Sequence, residues 1–367
     1  MTSRAVKALA PGATIGILGG GQLGRMLALA AARLGLKCHI LCPDPQSSAF
    51  EVVRRATVAA YTDNGALDRF ARSVDAITYE FENVPADAAR FLAARKPVLP
   101  DPAVLATTQD RLVEKTFISD LGIATAAFAS AATREELDAA VAKIGRPAVL
   151  KTRRMGYDGK GQATIGDGTD LTKVWRDIGG HPAIVESFVP FEREISVVVA
   201  RGGDGAVACF EVTENEHRDH ILKVSRVPAA VSPAVAAEAR RIAEAIAAAF
   251  DYVGVLAVEM FVVPDGAGHA VLVNEVAPRV HNSGHWTIDG ASVSQFEQHI
   301  RAVAGWPLGK PVRYGRVEMI NLIGAEVETY TQWLEVPGAA VHLYGKGAAR
   351  PRRKMGHVTR VFPEPAS

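Results

Sequence analysis

The polar segment Asn274-Glu275-Val276-Ala277-Pro278-Arg279-Val280-His281-Asn282-Ser283-Gly284-His285-Trp286 follows directly on the apolar run Ala270-Val271-Leu272-Val273. That run has the pattern of a buried strand, so the first polar groups emerge at a strand end. Within thirteen residues come a carboxylate, an arginine, two asparagines, two histidines and a glycine. A core segment cannot bury that much polarity without partners. Upstream, Gly254-Val255-Leu256-Ala257-Val258-Glu259-Met260-Phe261 is a second strand-like run carrying one acid. Two neighbouring strands that each deliver an acidic oxygen suit Mg²⁺, which takes carboxylates together with phosphate oxygens and water. The alternative is a pair of solvated carboxylates on an edge strand.

A chain of 367 residues is long enough for two or three domains. Lys and Arg number 41 against 40 Asp and Glu, so the balance of +1 points to neither nucleic acid nor an anionic membrane. The cysteines Cys38, Cys42 and Cys209 have no paired metal spacing, and three is the wrong number for a disulfide framework. Cys38 and Cys42 read as small hydrophobes in or beside a strand. Arg4 and Lys7 precede no long apolar segment, so no signal peptide is expected. No uninterrupted run of about 18 apolar residues predicts a spanning helix. The expected setting is soluble, reducing and cytoplasmic.

From the N-terminus, strand Ala13–Leu18 runs into Gly19-Gly20-Gly21-Gln22-Leu23-Gly24, then a helix from Arg25 to Leu34 and a strand Lys37–Leu41. Gly19, Gly21 and Gly24 satisfy GxGxxG, and Asp44 stands twenty residues beyond Gly24, where a dinucleotide fold places its ribose-binding acid. The turn suits a nicotinamide cofactor, a phosphate, or only tight packing of a helix on a strand. Strand Val74–Tyr79 ends in Glu80-Phe81-Glu82-Asn83-Val84-Pro85. Its position at a carboxyl end marks Glu82 and Asn83 as substrate contacts, or as caps of the helix after Pro85.

Arg111 and Lys115 share a helix face. Thr133 with Glu136 has the spacing of a capping box. Strand Pro147–Lys151 leads into Thr152–Gln162, where Gly156, Gly159 and Gly161 interleave with Lys and Arg. Such a loop suits a cover for polyphosphate, the plainer alternative being an Asp-Gly hairpin turn. The chain has no GKS or GKT, which disfavours a P-loop. Strands Ala183–Glu186 and Glu192–Val199 flank the linker Ser187-Phe188-Val189, a framework for adenosine with acids at Glu186 and Glu194. His217 lies in a polar run, structural or catalytic. Ser232–Phe250 is an Ala-rich helix and Ser294–Val303 an amphipathic one. Val317–Ile323 and Val341–Tyr344 are strand-like, and Lys346, Arg350, Arg352, Arg353 and Lys354 form a basic cluster. That cluster either meets an anionic ligand or is a solvated tail.

A Rossmann-like domain, a glycine-rich basic lid, a paired-acid site and a basic C-terminal segment, in that order, resemble the ATP-grasp superfamily. The resemblance is closer still to the 5-(carboxyamino)imidazole ribonucleotide synthases of purine biosynthesis. Gly19–Met26, Tyr79–Val84, Gly156–Gln162, Asn274–Trp286 and Arg353–His357 carry it. It implies an α/β and α+β chain: a Rossmann-like (pre-ATP-grasp) domain over 1–108, an ATP-grasp domain over 109–308 with its lid at about 145–215, and a small β-rich domain over 309–367. It also implies ATP, Mg²⁺, bicarbonate and 5-aminoimidazole ribonucleotide as ligands, and a homodimer.

Carried over by residue, the resemblance gives Arg111 and Lys151 to the ATP phosphates, beneath Gly156, Tyr157, Asp158, Gly159, Lys160, Gly161 and Gln162. Glu186, Ser187, Phe188 and Val189 would meet adenine, Glu194 the ribose, and His217 the nucleotide's surroundings. Glu259 and Glu275 would bind Mg²⁺ with Asn274 beside them, and Arg279, His281 and Asn282 would orient bicarbonate. Gln22, Leu23, Glu82, Asn83, Tyr157, Asp158, Lys346 and Arg353 would hold the aminoimidazole ribonucleotide, with Asp158 a candidate for the amine proton. A glycinamide ribonucleotide transformylase and biotin carboxylase are relatives of different substrate. An NAD-dependent dehydrogenase would explain only residues 13–44, and a non-catalytic nucleotide sensor would not need Arg279, Asn282 and both acids together.

Overall fold

The computed structural model describes residues 7–156, 159–266 and 268–363; Tyr157 and Asp158 fall outside the described residues. Three sheets organise the chain. The first is parallel, in the order Arg55–Val58, Lys37–Cys42, Thr14–Leu18, Ala76–Tyr79. Its central strands are continuous apolar runs because helices pack over them. Helix Gln22–Arg33 starts inside the glycine motif, three residues before the expected Arg25, with Gly21 as an extended N-cap.

The second sheet is antiparallel, in the order Phe128–Ala131, Ala183–Ser187, Ala148–Thr152, Gln162–Ile165. Helix Arg134–Ile144 packs against it. Thr133 caps that helix by accepting from the Glu136 N–H, but the Glu136 carboxylate reaches Ala132 N rather than the cap residue's own N–H.

The third sheet has nine strands, in the order Gly268–Ala277, Gly254–Asp265, Arg193–Arg201, Thr213–Arg218, Ile221–Val227, Arg316–Ile323, Lys354–Phe362, Ala339–Leu343, with Val207–Cys209 paired to Arg193–Arg201. Helix Pro233–Ala249 buries Val235, Ala239, Ile242, Ala243 and Ile246, a stripe at helical spacing, against it. The C-terminal strands prolong this sheet instead of building one of their own. The solvated-tail alternative is thereby corrected. Lys354 opens a strand running between two others, and Met355, His357, Val358 and Thr359 within it are buried. Charge density at Arg350–Lys354 had masked the alternating apolar pattern that follows. Among the described residues no helix is long and apolar enough to cross a membrane.

His299 joins the parallel sheet to the large one. Its Nδ1 accepts from Val255 N–H at 3.0 Å and its Nε2 lies 2.7 Å from Thr78 Oγ1. A backbone N–H can only donate, so Nδ1 is bare and the ring neutral; burial lowers its pKa to about 4. A ring held neutral below the usual histidine range stabilises the fold above about pH 6.5, and that contribution drains away as pH falls towards 4. Urea midpoints should therefore drop between pH 7 and pH 5, and His299→Gln should remove about 1.4 kcal/mol per pH unit of the slope. Equal slopes in the two proteins would show that the ring is not held neutral.

Candidate active site

The two acids meet through a strand irregularity. Val258 pairs with Val276 and Glu259 with Glu275, but Met260 pairs with Val273, so Asn274 is an extra residue in a bulge. A bulge sets two residues against one and re-aims their side chains, which brings both Asn274 and Glu275 beside Glu259. Arg111 Nη1 donates to Glu275 Oε2 at 2.8 Å. Burial opposes the Glu275 charge, but the guanidinium outweighs it and holds the carboxyl well below its usual range. Glu259 shifts the other way, pushed up by burial and by the Glu275 charge. Glu114 lies behind them, accepting from Val276 N–H at 2.7 Å, and is raised by the same two causes.

The donor set fits a hard cation. Two carboxylates are joined by Asn274 Oδ1, a buried acceptor with no hydrogen-bond partner. Among the described residues no three His, Cys, Asp or Glu side chains form a complete cage. An ion here would complete its shell with substrate oxygens and water, the habit of Mg²⁺.

Cations surround the next part of the cleft. Buried Glu186 accepts from Lys151 Nζ at 2.9 Å and has Lys115 Nζ at 3.6 Å. Burial works against its charge and the two lysines prevail, so its pKa is lowered. Lys115 also donates to the Asn274 carbonyl at 3.1 Å. Arg111 Nη2 reaches Gly156 O at 3.2 Å, so one guanidinium ties the lid loop to the acid strand. Gly161 has φ +71°, and a Cβ there would stand 2.5 Å from Thr152 Oγ1, so the loop needs glycine at that point. Gln162 Nε2 lies 3.3 Å from His220 Nδ1. Beyond Glu186, Ser187 ends the strand with its N–H donating to Ala127 O, and the Phe188 N–H donates to Pro147 O as the chain leaves the sheet. Phe188 is exposed and the Val189 carbonyl accepts from Phe191 N. Glu194 and His217 contact each other across neighbouring strands.

The segment after Ala277 is held from outside. Arg279 pairs with Glu82 of the N-terminal domain and its Nη1 donates to Val280 O. Gln295 clamps the His281 backbone, accepting its N–H at 2.8 Å and donating to its C=O at 2.6 Å. Asn282 and Asn321 exchange both amide hydrogen bonds, at 3.0 and 2.7 Å, so Asn282 is committed to a strand of the C-terminal region. Gln295, Asn321, Glu114 and Lys115 were not assigned to the site from sequence. The Arg111–Lys115 spacing was a signal for one of them; the others have none, because their role is a long-range contact.

A cavity of about 190 Å³ lies at the carboxyl end of the parallel sheet, lined among others by Gly19–Gly21, Ser47, Ser48, Glu80, Lys346 and Arg353. Glu80 fills the glycine turn from inside: its carboxylate accepts from Gly21 N at 2.9 Å and Gly24 N at 3.2 Å. Those amides are the ones a dinucleotide pyrophosphate would need, so the nicotinamide alternative loses its anion site. Lys346 and Arg353 reach the cavity from the C-terminal region, braced by hydrogen bonds from Lys346 Nζ to Lys354 O and from Arg353 Nη1 to Lys346 O. Gln22 opens the helix beside the turn and Asn83 follows Glu82 in a half-buried turn. Leu23 departs from expectation: its side chain packs in the apolar core.

A glycine-rich loop tied to paired lysines and acids, beside a parallel-sheet domain, is the layout of ATP-grasp proteins. The family model of the ATP-grasp domain matches residues 116–296, that of the ribonucleotide synthetase preATP-grasp domain 12–109, and that of the phosphoribosylaminoimidazole carboxylase C-terminal domain 318–367. The chain is thus an ATP-dependent ligase of the ATP-grasp class. It is 52% identical to the N5-carboxyaminoimidazole ribonucleotide synthase of Brucella melitensis, over 97% of this chain and 98% of the relative. The ADP complex of the Staphylococcus aureus enzyme superimposes with TM-score 0.93 at 35% identity, over 98% of this chain and 95% of that one. The Aspergillus clavatus enzyme in complex with ADP and 5-aminoimidazole ribonucleotide gives 0.89 at 30% identity, over 96% and 94%. The chain belongs to the N5-carboxyaminoimidazole ribonucleotide synthase family.

The Gln295 clamp predicts a stability cost. Gln295→Leu would strand a buried N–H and a C=O of His281, and should lower unfolding free energy by about 2–5 kcal/mol. Urea denaturation at pH 7 tests this; a loss within experimental error would mean that the loop holds itself.

Proposed function

We propose that the protein carboxylates 5-aminoimidazole ribonucleotide with bicarbonate at the expense of ATP. The single observation that carries this reading is the Arg279 guanidinium, which pairs with Glu82 and lies within electrostatic reach of both Glu275 in the acid pair and Glu80 in the wall of the cavity beneath Lys346 and Arg353. Bicarbonate oxygen attacks the γ-phosphorus of ATP, ADP leaves, and carboxyphosphate forms. The exocyclic amine of the ribonucleotide then takes the carboxyl carbon, directly or through released CO₂, and phosphate departs.

Residue roles follow from charge and place. Arg111 and Lys151 neutralise the ATP phosphates and the Gly156–Gln162 loop closes above them, excluding water from a hydrolysable intermediate. Glu186 and the 187–189 linker meet adenine, and Glu194 the ribose, with His217 against it. Glu259, Glu275 and Asn274 would hold Mg²⁺, which when bound supplies charge neutralisation at the transferred phosphoryl group. Arg279, His281 and Asn282 orient the bicarbonate, Asn282 through the position Asn321 gives it. Gln22, Glu82, Asn83, Lys346 and Arg353 hold the ribonucleotide, the last two at its phosphate. Asp158 is assigned to the amine proton from the family resemblance alone. The same reading places the enzyme in the cytoplasm as a homodimer, with divisions near 108 and 308.

Release of ADP from ATP, Mg²⁺ and bicarbonate should be stimulated by 5-aminoimidazole ribonucleotide. Stimulation by glycinamide ribonucleotide with formate instead would overturn the substrate. Glu275→Gln should lower turnover by roughly 100-fold or more while circular dichroism stays native; retained turnover would remove Glu275 from the metal site. Lys346→Ala should raise KM for the ribonucleotide by about 10- to 100-fold, the worth of a charge-assisted hydrogen bond, with little change for ATP. Equal losses for both substrates would place Lys346 elsewhere.

A further inference from the structure

Under the acid pair runs a chain of buried hydroxyl and amide groups that none of the roles above uses. Ser196 pairs directly with Glu259 in the strand register. Ser225 Oγ lies 2.8 Å from Asn215 Oδ1, Asn215 Nδ2 2.9 Å from Ser196 Oγ, Ser196 Oγ 2.8 Å from Ser283 Oγ, and Ser283 Oγ 2.9 Å from His281 Nδ1. Ser225, Ser196 and Ser283 are fully buried, and Asn215 is 7% exposed.

Each link has a direction. The Asn215 amide oxygen can only accept, so Ser225 donates to it; the Asn215 amide nitrogen can only donate, so Ser196 accepts. Ser196 keeps a second lone pair and its own proton, so this end alone does not orient Ser283; a bare His281 Nδ1 does, since Ser283 then gives its proton to Nδ1 and accepts from Ser196. A backbone contact leaves that nitrogen bare. The Ser283 backbone N–H points at His281 Nδ1 from 3.3 Å, and a backbone N–H has no other role than to donate. A proton on Nδ1 would face that N–H donor to donor.

We infer that the Ser283 backbone N–H, with the relay Ser225–Asn215–Ser196–Ser283 behind it, holds His281 as the neutral tautomer with its proton on Nε2, so that the ring is a hydrogen-bond donor rather than a base or a metal ligand. This rests on the bicarbonate-activating role proposed above for His281. Nε2 faces Glu259 Oε1 at 3.5 Å, too long for a strong hydrogen bond. Its N–H is left to serve an anionic oxygen of bicarbonate or carboxyphosphate lying beside that acid. A bare Nε2 would instead repel the same oxygen. Ser283 and Ser196 are positioning residues, since they touch the ring or its partner and not the reacting atoms.

The test is a long-range ¹H–¹⁵N correlation spectrum of the full chain labelled with ¹⁵N-histidine. The His281 ring is identified as the pattern missing in His281→Gln. Expected is a pyrrole-like Nε2 and a pyridine-like Nδ1; a proton on Nδ1 overturns the inference. Ser283→Ala keeps the backbone N–H and should leave the tautomer in place, but should lower kcat of ribonucleotide-stimulated ADP release by about 10- to 100-fold, the usual effect of losing a partner that orients a reactive group. KM for ATP should stay within about twofold, and Ser283→Thr should restore kcat. An unchanged kcat in Ser283→Ala would overturn the relay's part in the inference, and should that variant fail to fold, the wild-type spectrum decides alone. The spectrum needs no substrate, so a failure of the proposed reaction is distinguishable from a failure of the tautomer assignment.

Discussion

Glu259 and Glu275 stand opposite each other on neighbouring strands, and the rest of the site is built around keeping that arrangement tolerable. Two unit charges about 4 Å apart repel by roughly 4 kcal/mol in a partly buried setting, more than a marginally stable protein can leave unanswered. The response is asymmetric. Arg111 keeps Glu275 charged, while burial and that same charge favour the protonated form of Glu259. A pair divided in this way is poised for a cation, which would let both acids ionise. One helix, Arg111–Asp120, presents Arg111, Glu114 and Lys115 to the bulged strand from successive turns, so its docking sets the charge of the whole cleft.

The N-terminal domain shows how the same local geometry can be turned to another use. Its glycine motif forms the strand–turn–helix expected of an anion site, yet Glu80 supplies the anion from within the chain. The adjoining cavity then takes its cations from Lys346 and Arg353, more than three hundred residues beyond the glycine motif in sequence. The charge of this cavity thus depends on the C-terminal strands being fused to the central sheet, and Arg279 faces both its wall at Glu80 and the acid pair at Glu275.

Around His281, precision comes from groups that carry no chemistry of their own. Gln295 fixes the backbone, Asn321 fixes the neighbouring Asn282, and Ser283 fixes the ring. Gly284 shows how tight this is, since a Cβ there would stand 2.6 Å from Gln295 Oε1. Such supporting contacts hold reactive groups within the narrow tolerance that positioning requires.

Much of this was legible in the sequence. Strands at Ala13–Leu18, Ala183–Glu186 and Gly254–Phe261, the helix after Ser232 and the acids Glu259 and Glu275 all follow from local periodicity and from polarity that a core cannot bury alone. The glycine turn was legible as a shape, but its occupant was not, because Glu80 reaches it from another strand. The strand Lys354–Phe362 was hidden by the basic residues before it, and the reciprocal Asn282–Asn321 bond joins residues with no sequence relation. The amino-acid sequence by itself determined which segments are strands and helices and which side chains carry charge, because periodicity and burial act over a few residues. Only the tertiary structure decided which charges face each other, which acid stays ionised and which nitrogen of His281 holds the proton, because Coulomb and hydrogen-bond partners are set by distance in space.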